Sequence, residues 1–558
     1  MSFISSASTW RRDLIGLTLF FGLVFAFRSG TYPLFNPDEG RYAEVPREML
    51  ASHDWVTPRL NGVNYFEKPP LMYWAEAASL SLIGSNETAA RAVPAFFALL
   101  GVLLTYYTAR KLYGRDAGLA SAIVLGSSLL YAALARVVII DMAVSVLMSW
   151  TLFSFILAIK APAGSQRRFL FMQLYVSAAL ATLAKGLIGV LLTGAVMFLW
   201  LLIFNQWKRL RPLYLPTGLF VFFIVALPWH ILVSAHNATW AHRYFIYEHF
   251  QRFFSSVASR PGPWWYFIPI IAVGLFPWIG FLYPALKQAL KGGWAKREAN
   301  ADAWFFVTWA LFIFLFFSKS HSKLAPYILP VFPPLAVLIG VWLAMTKSKT
   351  NTFIKNGLIV VSIVGPLIAV GLCVAVVKPN LVRFSVEQAN AIRPIALTLA
   401  ALLIWGSFRI PLLAARRGTK IAVGALALMM GVFFAVVTYA APYIKPGTKA
   451  LALIVNESAR PNDRVYHYHE FFHDFTFYAS RNVDIVAFKG ELELEEDPIA
   501  RESGRFEDEA MFRKTWNEYN RCFAIARKSD VRELFRDSTF HYHLLAQTQD
   551  HYLFSNQP

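Results

Sequence analysis

The sequence predicts a polytopic α-helical membrane protein that carries a soluble α/β domain at its C-terminal end. Three observations predict it. Apolar residues make up 56% of the 558 and charged residues only 16%, where a soluble domain holds about a quarter charged, and the mean hydropathy is +0.45. Apolar runs long enough to cross a bilayer recur over most of the chain. From Pro442 the composition turns soluble, with short β-prone runs alternating with amphipathic ones.

In order, the candidate spans fall at roughly 13–30, 89–109, 116–135, 141–159, 169–184, 186–205, 213–233, 265–285, 303–318, 325–345, 357–377, 393–408 and 421–441, about thirteen in all. The first follows Arg11 and Arg12, and the residues after it (Arg28, Ser29, Gly30) offer no small-x-small cleavage site, so a retained span is expected. Alternate connectors concentrate the cations, as in Arg110, Lys111 and Arg115, or Lys208, Arg209 and Arg211, or Arg416, Arg417 and Lys420. The intervening connectors hold isolated ones: Arg136, Lys185, Lys319, Lys323. The basic face, with Arg11 and Arg12, is read as cytoplasmic. The N-terminus is then cytoplasmic, and the 36–88 loop, the 234–264 loop and the tail lie together on the far side. Orientation accounts for the net charge of +19, so nucleic acid is not expected as a partner. Cys373 and Cys522 are too few and too separate for a disulfide framework.

Residues 1–441 are thus expected to form a transmembrane domain with loops 31–88 and 234–264 capping its active site, and 442–558 an α/β domain. In the tail, helices are expected at 448–459, 471–479, 505–517 and 530–536. Strands are expected at 464–468, 483–488 and 522–527, and a hairpin over 541–547 and 551–554.

The polar loop Asn36–Trp74 is where chemistry is expected, because charge concentrated at a membrane interface is costly to hold there. Asn36-Pro37-Asp38-Glu39 fits an N-cap, a proline at the first helical position and a capping-box glutamate. That leaves Asp38 free to face a cavity as a general base or cation-stabilising group. Tyr65-Phe66-Glu67-Lys68-Pro69-Pro70 forms a rigid corner at which Lys68 either clamps a phosphate or snorkels to lipid headgroups. Asp141 either caps the fourth span or joins Asp38 in one cavity. In the 234–264 loop Arg252 is a second phosphate ligand, and His249 with Glu67 offers a divalent-metal alternative (Zn or Mg) that no spacing enforces. Tyr327 lies on the same outer side. His467, His469 and His473 read either as a metal cluster or, more commonly, as strand-end histidines.

Asp38-Glu39 after the first span, Asp54-Trp55-x-x-Pro58, Tyr65-Phe66-x-Lys68-Pro69-Pro70-Leu71-x-Tyr73-Trp74 and Ala90-Arg91 together resemble the bacterial 4-amino-4-deoxy-L-arabinose (L-Ara4N) lipid A transferases. These belong to the protein O-mannosyltransferase-like group of GT-C glycosyltransferases. The resemblance implies an inner-membrane enzyme of GT-C type with its tail in the periplasm. It implies an undecaprenyl-phosphate-linked aminosugar donor, a lipid A acceptor, resistance to polymyxin and cationic peptides, and a monomer among membrane lipids with no obligatory cofactor. It assigns Asp38 and Asp141 as catalytic carboxylates, Lys68, Arg252 and Tyr327 to the donor phosphate, and Glu39, Arg41, Tyr42 and Tyr65 to the cavity wall. The alternative within the group is another polyprenyl-phosphate sugar with a lipid, glycan or protein (O-mannosyl) acceptor. A transporter is disfavoured, because the spans show no paired repeat and the charge gathers at one interface.

Overall fold

The structure is a computed structural model, and it describes residues 2–242, 244, 260–346, 352–444, 447–488 and 498–558. The chain folds as two compact units: Met1–Ser29 with Arg91–Ala441, and Gly30–Ala90 with Pro442–Pro558. The division at residue 441 falls where the composition changes. The loop 31–88, grouped by the sequence with the transmembrane domain, shares its unit with the C-terminal segment instead.

The transmembrane unit is helical. Each expected interval holds a helix or a broken pair of helices, and among the described residues eight helices are long and apolar enough to cross a membrane, or nine with the bent pair Phe267–Gly274 and Ile279–Ala289, which turns through 104°. The Ile140–Ala158 helix is apolar on every side and buried along nearly its whole length, as a helix at the centre of a bundle must be. The Leu215–His236 helix buries only Gly218, Ala226, Trp229 and Val233 among its many apolar residues, so most of its surface is left for lipid. Between the Arg115–Ser127 and Phe332–Met345 helices, a Cβ on Gly340 would lie 2.5 Å from Ser121 Cα; only glycine permits that approach.

Two buried arginines are structural. Arg136 Nη1 donates to Val24 O and Nη2 to Phe27 O, each at 2.6 Å, and Nη2 also reaches Thr438 Oγ1 at 2.6 Å. It thus satisfies carbonyls at the end of the first helix, Ser2–Ala26, that have no partner within that helix. Arg91 is fully buried and donates to Ser29 O at 2.6 Å.

The second unit is built on a six-stranded mixed sheet. Its strands are β3 (Arg464–Tyr468), β4 (Asp484–Val486), β5 (Phe506–Glu507), β6 (Cys522–Arg527), β7 (His543–Gln547) and β8 (His551–Ser555), numbered after a small hairpin, β1 (Arg59–Leu60) and β2 (Val63–Asn64). The order is β5-β4-β3-β6-β8-β7, parallel from β5 to β6 and antiparallel at β8 and β7. Tyr466, Tyr468, Phe512, Trp516 and Phe554 lie in the core of this domain.

Strands 464–468 and 522–527 fall where the sequence places them. Two expectations are corrected. The 505–517 helix begins only at Glu509, because Phe506–Glu507 is spent as an edge strand beside β4 and Asp508 caps the helix by accepting from Met511 N–H at 2.7 Å. Segment 530–536 contains only a 3₁₀ turn, Leu534–Arg536.

The loop 30–90 belongs to this unit through specific bonds. The Asn61-Gly62 turn of the β1–β2 hairpin has φ of 57° and 73°, the left-handed pair that a tight hairpin turn requires. Glu48 accepts from Asn61 N–H at 2.5 Å and Gly62 N–H at 2.9 Å. The Asn61 amide makes both a donor and an acceptor bond to the Val483 backbone, at 2.9 and 2.8 Å, and Arg505 donates to Asn61 O at 2.9 Å. At the other edge Lys449 and the Tyr478 hydroxyl both reach Glu87, at 2.6 and 2.9 Å.

Candidate active site

The first-loop residues gather on the Asp38–Ser52 helix and the corner leading to the Leu71–Ile83 helix. The capping box expected at Asn36–Glu39 is not formed. Glu39 reaches back to Phe35 N–H at 2.9 Å rather than to Asn36, and the Asn36 side chain accepts from His473 N–H at 3.0 Å. Asp38 pairs with Arg41 at 2.7 Å, with 59% of its side chain exposed. Arg41 is mostly buried. Burial opposes its charge, and the surrounding Tyr65, Glu67, Tyr42 and Asp38 more than compensate, so its pKa is raised.

Tyr42 stacks on Tyr73 with ring centroids 6.2 Å apart, and Tyr65 is buried with its N–H on Pro58 O at 2.8 Å. Lys68 does not extend as a snorkelling lysine would. Its ammonium turns back on its own corner, 3.0 Å from Glu67 O and 3.6 Å from the Glu67 carboxylate. Asp38, Glu39, Arg41, Tyr42, Tyr65, Glu67 and Lys68 therefore lie in one unit, on one helix and one corner.

In the transmembrane unit Asp141 occupies the first turn of the Ile140–Ala158 helix; the capping position expected for it is Ile139. Its carboxylate pairs with Lys185 at the end of the Ser165–Lys185 helix. The Lys185 ammonium also stands over the Tyr327 ring, 4.6 Å from its centroid, a cation–π geometry. Arg252 and His249 lie outside the described residues, and so does any metal pairing of His249 with Glu67. Among the described residues no group of three or more His, Cys, Asp or Glu is placed to hold a metal ion.

Several residues escaped sequence reasoning. Lys185 reads as one stray cation, and nothing in its spacing announces Asp141. Glu76 is fully buried, neither carboxylate oxygen has a hydrogen-bond partner among the described residues, and burial with the Glu39 charge pushes it well above the usual carboxyl range. Arg47 grips Glu44 with two bonds of 2.7 Å. The alternation of charge along 38–48 was the available signal, because buried acids on one helix must find partners.

The histidines do not form a cluster of ligands. His469 pairs with Glu509 at 2.7 Å. His467 is fully buried, accepts from Phe472 N–H at 3.1 Å and is ringed by Phe471, Phe472 and Phe475. Burial lowers its pKa to about 3, against 6.5 in the unfolded chain. Between those values the unfolded state binds the extra proton, so the stability His467 allows is complete above pH 6.5 and drains away on acidification, by about 1.4 kcal/mol per pH unit. Asp474, which burial raises to about 6, works in the opposite sense. A His467→Phe variant removes only the first contribution. Its stability relative to wild type is therefore predicted to improve steadily from about pH 6 to about pH 4, read from paired melts of the full-length protein; a constant offset at every pH would refute the linkage.

Against this geometry the comparisons with known proteins are informative. Residues 67–231 match the family model described as dolichyl-phosphate-mannose-protein mannosyltransferase, and residues 451–556 match the aminoarabinose transferase C-terminal domain. An undecaprenyl phosphate-alpha-4-amino-4-deoxy-L-arabinose arabinosyl transferase of Erwinia tasmaniensis is 31% identical over 402 residues, 71% of each chain. One from Proteus mirabilis is 32% identical over 400 residues, 72% of this chain and 71% of its own. Among solved structures, ArnT from Cupriavidus metallidurans bound to undecaprenyl phosphate superposes with a TM-score of 0.86 at 29% identity, over 99% of this chain and 98% of that one. An Archaeoglobus fulgidus oligosaccharyltransferase, at 12% identity, a TM-score of 0.50 and coverage of 93% and 69%, shares the fold alone.

The class these likenesses define is the multi-pass membrane glycosyltransferases of GT-C fold. Most of the mannosyltransferase-like stretch lies in the helical unit, and the tail carries the more specific match. Within that class the chain belongs to the undecaprenyl phosphate-alpha-4-amino-4-deoxy-L-arabinose arabinosyl transferases.

Proposed function

We propose that this chain transfers 4-amino-4-deoxy-L-arabinose from undecaprenyl phosphate to a phosphate of lipid A at the periplasmic face of a bacterial inner membrane. The observation that carries this reading is its end-to-end likeness to the Cupriavidus transferase bound to undecaprenyl phosphate. In this reading the N-terminus is cytoplasmic, the C-terminal domain periplasmic, and the enzyme a monomer.

The reaction breaks the bond from the anomeric carbon to the lipid-phosphate oxygen and forms one to an acceptor phosphate oxygen. The acceptor is already anionic, so no proton need be abstracted. Asp38 then faces the positive charge of the sugar, at the oxocarbenium-like carbon or at its ammonium. Lys68 and Arg252 neutralise the departing phosphate, where a low dielectric makes each cation count for more than in water. Arg41, Glu39, Tyr42 and Tyr65 wall the sugar. Asp141, paired with Lys185, and Tyr327 keep the roles that the resemblance implies for them. No step is assigned to a metal or other cofactor. Because the added sugar is cationic, modified lipid A carries less negative charge and binds polymyxin and other cationic peptides less well.

The test is mass spectrometry of lipid A from a strain lacking its own L-Ara4N transferase and expressing this chain. An aminopentose adduct is expected. A well-expressed chain that yields none would sink the assignment. The mannosyltransferase-like match over 67–231 favours as second reading a related transfer from another polyprenyl-phosphate sugar to a lipid, glycan or protein, visible in the same cells as a different sugar mass or a modified protein.

A further inference from the structure

The C-terminal domain begins a helix at the edge of the first-loop cluster. His473 opens the His473–Ala479 helix, and its backbone N–H is the one held by Asn36. The two segments touch at the backbone: a Cβ on Gly40 would lie 2.8 Å from both Asp474 Cα and His473 C, and closer still to Asp474 N. The His473 side chain is only 5% exposed. The ring packs edge-on against Phe471 with centroids 4.3 Å apart and stands within electrostatic reach of Arg41, His467 and Glu67.

Two polar atoms here have no hydrogen-bond partner among the described residues: His473 Nδ1 and Arg41 Nε. They are complementary, since a guanidinium Nε–H can only donate and an unprotonated imidazole nitrogen accepts. Burial, and after it the positive charge of Arg41, keeps the ring neutral, which is the form that accepts. Leaving both atoms without partners in a buried site is costly. Arg41 is otherwise tied to Asp38 by one bond between residues three apart on a helix, a pairing too weak by itself to orient a long side chain.

We propose that His473 is a positioning residue for Arg41: its Nδ1 accepts, through one bridging water, the hydrogen bond that Arg41 Nε–H offers, and so aims the Nη side of the guanidinium at Asp38. The soluble domain then supplies part of the machinery that sets the Asp38–Arg41 pair. This deepens the proposed function and rests on the reading of that pair as part of the transfer site.

The test uses the full-length protein in nanodiscs, with an undecaprenyl-phosphate-linked aminosugar and lipid A. His473→Phe fills the site without an acceptor, and His473→Asn places an amide oxygen near the Nδ1 position. The Phe variant is expected to lose about tenfold or more in kcat at little cost in melting temperature, and the Asn variant to recover most of it. Equal activity of the two variants, or losses that merely track their melting temperatures, would overturn the proposal. A second readout is independent of turnover: the Arg41 Nε–H resonance, assigned by its absence in Arg41→Lys, is expected to shift in His473→Phe and to return toward its wild-type position in His473→Asn. If that resonance does not move, Arg41 is not held by His473. A folded wild type that shows the shift but transfers no sugar would sink the transfer reading and leave the positioning intact.

Discussion

Replacing Asp38 by asparagine is expected to lower the rate of sugar transfer by about 100-fold or more, with the protein folded and the donor still bound. The substitution keeps the shape of the side chain and removes only its charge. Asp38 makes one charged contact among the described residues, the 2.7 Å pair with Arg41, and more than half of its side chain remains exposed. A carboxylate held at one oxygen by a buried guanidinium has its other oxygen available to substrate. If that oxygen faces the carbon where positive charge develops, the loss falls on kcat; if it holds the ammonium of the sugar in both ground and transition states, the loss falls on KM. Steady-state kinetics on matched preparations distinguishes the two. Full activity in Asp38→Asn would return Asp38 to a helix-start role and remove it from the chemistry.

The second large effect concerns stability. Gly40→Ala adds one methyl group to a helix, ordinarily a gain of up to about 1 kcal/mol. Here the new carbon would press on the backbone of His473 and Asp474 at 2.8 Å or less, and neither strand of main chain can swing aside as a flexible side chain can. Overpacking of this kind costs about 1–3 kcal/mol or more, enough to part the Asp38–Ser52 helix from the His473–Ala479 helix. The expected result is a lowered melting transition and faster proteolysis within 442–558. Gly424→Ala is the control, because nothing lies within 4 Å of its Cβ position; it should melt at or slightly above the wild-type temperature. Equal melting of the two variants would refute the close packing at Gly40.

Both predictions concern a helix whose sequence shows that it matters without showing how. In Asp38-Glu39-Gly40-Arg41-Tyr42 the density of charge beside a membrane span marks a site. The partners come from far along the chain: Asn36 is engaged by His473 rather than by its own helix, and the glycine answers to Asp474. Asp141 reads as a helix start because acids favour first turns, and it does stand in one. That its partner is Lys185, over Tyr327, follows from packing between segments that share no periodicity. In the tail short apolar runs sufficed for β3 and β6, buried central strands with a strong signal. That signal failed at β5, a two-residue edge strand defined only by its neighbour.

By itself the sequence determined that this is a multi-pass membrane protein with a soluble C-terminal α/β domain, and it singled out the loop after the first span as the candidate place for chemistry. These follow from local quantities: the length of apolar runs, the period of apolar residues, and charge placed where it is costly. Only the tertiary structure decided that residues 30–90 form one compact unit with 442–558, that Arg136 closes the end of the first helix, and that the backbone of His473 meets the loop at Asn36 and Gly40. Each of these depends on contacts between residues tens to hundreds of positions apart. Such contacts are selected by shape and by the need of buried polar atoms to find partners, and neither requirement leaves a periodic trace in the chain.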